Sequence, residues 1–125
     1  MLFKSILSSS TRGFPITYMK RVFIEAKNFQ KKLDSLKDAN LLLNLQEAIA
    51  KDPEIGALVK GTGGISKFRM GAKGKGKSGG VRVFYLDVPN KKKCYLLFLL
   101  EKSDSDNISD EEKSELRQLA QFLKK

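Results

Sequence analysis

The chain contains no histidine and no tryptophan among its 125 residues. Histidine is the usual general base near neutral pH and the commonest metal ligand, so its absence excludes His-based catalytic triads and His-ligated metal sites. Cysteine occurs once, as Cys94. A single thiol excludes an intrachain disulfide and a zinc–thiolate cluster, and it suits a reducing, cytoplasmic setting. Its place at the head of an apolar run predicts a buried, inert side chain. No apolar run approaches the roughly 20 residues of a membrane span, so no membrane partner is expected. The longest, Tyr95 to Leu100, has the length of one strand. Acid is missing locally as well: no Asp or Glu lies between Ile55 and Leu86.

What is present is cationic. Lys and Arg total 24 against 14 Asp and Glu, a formal net charge of +10. A hydrophobic content of 41% is ordinary for a globular chain, and the length suits one domain with a modest core. The charge is concentrated in GTGGISKFRMGAKGKGKSGGVRVFY, residues 61 to 85. Lys60, Lys67, Arg69, Lys73, Lys75, Lys77 and Arg82 lie in or beside it. Crowding like charges into one hairpin costs free energy through self-repulsion, so a polyanion is the expected partner.

Residues 1–18 are read as a flexible extension or an upstream-start artefact, and 19–125 as a single domain. RVFIEA, from Arg21 to Ala26, reads as a first strand. Phe29, Leu33 and Leu36 recur at helical spacing, as do Leu42, Leu45 and Ile49, with a weak break at residues 37 to 40. Pro53 ends this region, because the residue before proline avoids helical dihedrals. Ile65 to Met70 alternates so that Lys67 and Arg69 share a face. Val81 to Val88 is a further strand, with Val81, Val83 and Tyr85 on one face and Arg82, Phe84 and Leu86 on the other. Tyr95 to Leu100, continuously apolar, is expected as the central strand. Ser109 and Glu112 form a capping box for a helix with Leu116, Leu119, Ala120 and Leu123 as its apolar stripe.

Two motif matches in the glycine-lysine loop are rejected. Residues 71 to 78 fit the P-loop pattern, and Gly74, Gly76 and Gly79 fit G-x-G-x-x-G. Both patterns need a helix directly after the loop to hold phosphate, whereas a strand follows here. The same glycines allow close backbone approach to a phosphate chain while the lysines supply charge. The basic region holds no paired carboxylates or acidic cluster, so two-metal nuclease chemistry is not expected, and neither a metal nor another cofactor is predicted. Metal-free phosphodiester chemistry remains. In it an RNA 2′-hydroxyl attacks the adjacent phosphorus and cations stabilise the charge that develops. A lysine crowded by other cations is easier to deprotonate and can exchange protons.

GTGGISKFRMGAKGKGKSGGVRVFYLDV, followed by YLLFLLEKSDSDNIS, resembles the HigB-like branch of the RelE/ParE toxin superfamily of type II toxin–antitoxin systems. The resemblance runs from about Met19 to the C-terminus. It implies an α+β fold: a small antiparallel sheet with N-terminal helices and a C-terminal helix packed on it. It further implies an endoribonuclease that cuts mRNA on the ribosome, blocked by a cognate antitoxin with a helix-turn-helix DNA-binding fold. Lys67 and Arg69 match the paired basic positions of one strand, Arg82 the arginine of the next and Lys102 the basic position after the last strand. These four are the catalytic candidates. Lys73, Lys75 and Lys77 match the basic loop and are nucleic-acid-binding candidates. Tyr85 is taken as core or as a nucleic-acid stacking partner. The chain departs from the HigB-like pattern Tyr-x-Lys-Asn-Glu-Lys-Ser-Asp-Leu at Leu100, Ser103 and Ser105. Two other readings stand beside the nuclease. One is a ParE-like gyrase inhibitor of the same fold, and the other is a non-enzymatic RNA-binding module.

Overall fold

The computed structural model describes residues 21–72, 80–101 and 108–125. The elements are β1 (Val22–Glu25), α1 (Lys27–Leu36), α2 (Leu41–Lys51), β2 (Ala57–Leu58), β3 (Ser66–Met70), β4 (Val81–Val88), β5 (Lys93–Glu101) and α3 (Asp110–Lys124). A single 3₁₀ turn, Pro89–Lys91, joins β4 to β5. The helical region divides where the sequence suggested. Lys37 caps α1 with a left-handed backbone at φ 51°, and α2 starts after Asn40.

The fold is α+β, with one five-stranded sheet in the order β1-β5-β4-β3-β2. β2 to β5 pair antiparallel, but β1 joins β5 in parallel, so the sheet is mixed rather than wholly antiparallel. The reason is the connection. The chain leaves β1 directly into α1 and α2, and the antiparallel ladder that follows leaves β5 outermost and running the same way as β1. The central position also differs from expectation. β4 occupies it, and the apolar run Tyr95–Leu100 lies one place over, between β1 and β4. The two-residue β2 was not read from the sequence. Both its residues are exposed, so it carries no apolar alternation.

Helices cover both faces of the sheet. On one, Phe29, Leu33, Leu41, Leu45 and Ile49 of α1 and α2 pack on Phe23, Val81, Val83, Tyr85, Cys94, Leu96 and Leu99. On the other, Leu116, Leu119, Ala120 and Leu123 of α3 pack on Ile65, Phe84, Leu86, Val88, Tyr95 and Leu97. The expected α3 stripe is thus the buried one, and Cys94 is buried as foreseen. α3 begins at the foreseen capping box, with Ser109 and Glu112 each satisfying the other's backbone N–H.

The turn between β2 and β3 fixes how α3 lies. Gly61, Gly63 and Gly64 adopt positive φ, a conformation open to glycine at no steric cost. Arg117 donates to the Gly61 carbonyl at 3.5 Å, and the Lys124 ammonium donates to that of Gly63. Lys91 donates to Leu123 O at 3.1 Å, which satisfies a carbonyl in the last turn of α3.

Candidate nucleic-acid interface

Alternation along β3 sends Phe68 and Met70 toward α1 and α2. Lys67 and Arg69 therefore project from the α3 face of the sheet. Arg82 shares that face, because its neighbours Val81 and Val83 point the other way. Register then sets two rows across the strands. Lys67 lies opposite Phe84, and Phe84 opposite Phe98; Arg69 lies opposite Arg82, and Arg82 opposite Leu100. Three of the four catalytic candidates are thus brought onto one patch.

Among the described residues, α3 covers the end of this face nearer the β4–β5 turn. It sits over Ile65, Phe84, Leu86, Val88, Tyr95 and Leu97. The rows bearing Lys67, Arg69 and Arg82 lie toward the opposite end, where Arg69 is exposed and Lys67 and Arg82 are partly so. Like charges directly opposite on adjacent strands destabilise a sheet by about 0.2–1 kcal/mol. Neither Lys67 nor Arg69 has an acidic partner within ion-pair distance among the described residues. In register on neighbouring strands, Arg69 and Arg82 set two cationic side chains side by side, an arrangement suited to an anion.

The chain passes through this end three times. β3 finishes at Met70, β4 begins at Val81, and β5 ends at Glu101 opposite Val81. Lys73, Lys75 and Lys77, and also Lys102, lie outside the described residues. The base of the basic loop is closed by a glycine. At Gly80 an added Cβ would lie 2.1 Å from the Met70 carbonyl oxygen, so only glycine lets the strands close there.

The apolar border of the patch is aromatic. Phe84 and Phe98 stack with ring centres 4.2 Å apart and planes 15° off parallel. Such a pair adds about 0.5–1.5 kcal/mol beyond its buried area. Phe84 is fully buried, whereas Phe98 is only partly so. The register explains how Phe98 comes to be there. Phe84 faces Phe98 but Tyr85 faces Leu96, so Leu97 has no partner on β4. This is a β-bulge, and it places Leu97 and Phe98 consecutively on the α3 side. Sequence reasoning missed Phe98. Strict period-two alternation assigns it to the face of Leu96, and a continuously apolar run reads as core.

Of the two readings of Tyr85, the structure shows the core one. The side chain points to the α1/α2 face, is 1% exposed and packs edge-on against Phe68 with centres 5.8 Å apart. Its hydroxyl donates to Pro53 O at 2.7 Å and accepts from Gly56 N–H at 3.0 Å. Burial raises its pKa above the ordinary tyrosine value, an effect opposed by the Gly56 hydrogen bond. A side chain so enclosed presents no surface to a nucleic acid. Tyr85 is a structural clamp that ties the turn before β2 to the sheet beneath Lys67.

Two ion pairs of the described residues tie the sheet to its surroundings. Arg21 Nε stands 2.8 Å from Asp87 Oδ1 on β4, beyond the half of the sheet that bears the cations. Burial raises the Asp87 pKa and Arg21 opposes the rise. Lys32 of α1 binds Glu101 at 2.8 Å and anchors the end of β5 to that helix. Among the described residues no three His, Cys, Asp or Glu side chains cluster so as to hold a metal ion. No described helix is long and apolar enough to cross a membrane.

The patch, then, is a cationic half-face on an α+β sheet flanked by helices on both sides. Residues 20–125 match the family described as the RelE toxin of the RelE/RelB toxin–antitoxin system, and the chain belongs to that family of toxins.

Proposed function

We propose that this toxin is a ribosome-dependent mRNA endoribonuclease, an mRNA interferase that inhibits translation, and that Lys67, Arg69 and Arg82 form the phosphate-gripping part of its active site. The observation that carries the reading is the register of Arg69 against Arg82 on the half of the sheet that α3 leaves open. A polyanion that sets one phosphate between the two guanidinium groups relieves their repulsion and gains charge-assisted hydrogen bonds. A gyrase-binding toxin of this fold has no need of such a pair. An RNA-binding module has no need of cations converging on a single phosphate.

In the proposed reaction the RNA 2′-oxygen attacks the adjacent phosphorus and the 5′-oxygen leaves. The products are a 2′,3′-cyclic phosphate and a free 5′-hydroxyl. The proton lost by the 2′-hydroxyl and the one gained by the 5′-oxygen balance, so no net proton is consumed. Arg82 and Arg69 stabilise the charge that grows on the non-bridging oxygens, and Lys67 supports them from the next row. Lys102 is proposed to join them from the segment after β5. Lys73, Lys75 and Lys77 are proposed to hold the rRNA or mRNA backbone.

The glycine-lysine hairpin supports assignment to the HigB-like branch. Partners proposed on the family are a cognate antitoxin with a helix-turn-helix fold, the ribosome and mRNA, all in the cytoplasm. The test is a purified translation system with a defined mRNA, in which RNA ends are mapped with and without the protein. Cuts that appear only when ribosomes are engaged support the proposal. Intact mRNA together with blocked gyrase supercoiling would replace it by the gyrase reading.

A further inference from the structure

Phe98 is the residue of the cationic half-face whose placement the core does not explain. Strict alternation along β5 would send it to the α1/α2 face with Leu96. The bulge at Leu97 turns it to the α3 face instead, into the row that carries Lys67 and next to the row that carries Arg82. α3 does not finish burying it, so the residue stays half-buried at the edge of that cluster. The side away from β4 is open to the strand ladder as well. β1 ends at Glu25 opposite Leu96, and Ala26 N–H makes the next bond to Leu96 O before the chain turns into α1. Among the described residues Phe98 is therefore flanked by a strand only on the β4 side. There Phe84, fully buried, holds its ring plane by stacking at 4.2 Å and 15°. Bulges re-aim side chains beside functional sites, and this one delivers a pre-oriented aromatic surface to the edge of a phosphate-binding patch.

We propose that Phe98 is the nucleobase-stacking platform of this toxin and takes the base of a nucleotide whose phosphate lies at Arg69 and Arg82. The proposal rests on the nucleic-acid reading above and adds a subsite to it. Stacking needs only a π-face, so Phe98 contributes affinity and orientation while accepting any of the four bases. The β5 strand then has two ends of different use. Cys94 to Leu97, and Leu99, belong to the core, and Phe98 and Leu100 form the apolar wall of the substrate groove.

The absence of tryptophan makes the test direct. The variant Phe98→Trp carries a single indole at the proposed platform, and Phe122→Trp carries one at an exposed position of α3 as a control. Each is titrated with a fluorescein-labelled single-stranded oligoribonucleotide in low-salt buffer, following RNA anisotropy for binding and indole emission for stacking. Anisotropy should rise for both variants, with emission quenched only for Phe98→Trp. Phe98→Ala, with its fold checked by circular dichroism, should weaken binding about ten-fold, and Phe98→Trp should retain it. Binding without quenching at position 98 overturns the platform and leaves the cationic reading intact. So does a Phe98→Ala variant that folds and binds like the parent. Should the parent bind neither the oligonucleotide nor programmed ribosomes, both readings fall.

Discussion

Single residues carry opposite obligations in this toxin, and Arg69 shows the conflict most simply. It stands directly across from Arg82, an arrangement that opposes folding and favours an anion. Arg69→Ala should therefore leave thermal stability unchanged or raise it, by about 0.2–1 kcal/mol, while lowering cleavage activity. Denaturant melts and end-mapping on the same preparation check both signs, and a clear loss of stability would show that Arg69 is structural. Tyr85 makes the opposite case. Removing its hydroxyl leaves Gly56 N–H and Pro53 O without a partner, so Tyr85→Phe should cost about 1–3 kcal/mol by urea denaturation. Its pH dependence has a definite sign. The folded pKa lies above the unfolded value near 10, so the folded state holds the proton more tightly. That part of the stability is complete below pH 10 and is lost as pH rises toward the folded pKa. Stability measured from pH 9 upward should fall less steeply in Tyr85→Phe than in the parent protein.

At the scale of elements, the hairpin of β3 and β4 is positioned by glycine at its base and by packing beneath it. A methyl group at Gly80 collides with the Met70 carbonyl, which belongs to the backbone and cannot rotate away. Gly80→Ala should destabilise the protein by about 1–3 kcal/mol and reduce activity beyond what the stability loss explains, since Arg69 and Arg82 flank the collision. Melting temperature and cleavage rate at a fixed folded fraction separate the two effects. Much at this scale was legible in the sequence. The β4 limits, the division of the helical region, the capping box and the α3 stripe all follow from periodicity and capping chemistry. What was not legible depends on pairing between distant segments. β2 is too short to carry a pattern. The parallel entry of β1 and the central place of β4 are matters of topology. The bulge at Leu97 leaves no mark in YLLFLL, and with it went the role of Phe98. Tyr85 was ambiguous for a related reason: its strand face could be read from alternation, but whether that face was covered could not.

Across the whole molecule, charge and cover explain one another. A chain of net charge +10 packs α1 and α2 against one sheet face, and α3 against one end of the other. At the opposite end of that face, β3 and β4 bring Lys67, Arg69 and Arg82 together. Charge count and hairpin composition raised the expectation of a polyanion partner. They did not say which cations would converge, because that depends on the register of β3 against β4. The most direct test of the central claim is RNA end-mapping in a purified translation system, with parent protein, Arg82→Ala and Phe122→Ala side by side and their folding verified. The account predicts ribosome-dependent cuts bearing 2′,3′-cyclic phosphate ends for the parent protein and Phe122→Ala. It predicts a loss of about 10²-fold or more for Arg82→Ala, the scale seen when a charge-stabilising donor is removed from an active site. Folded Arg82→Ala protein that cuts at the parent rate would contradict it.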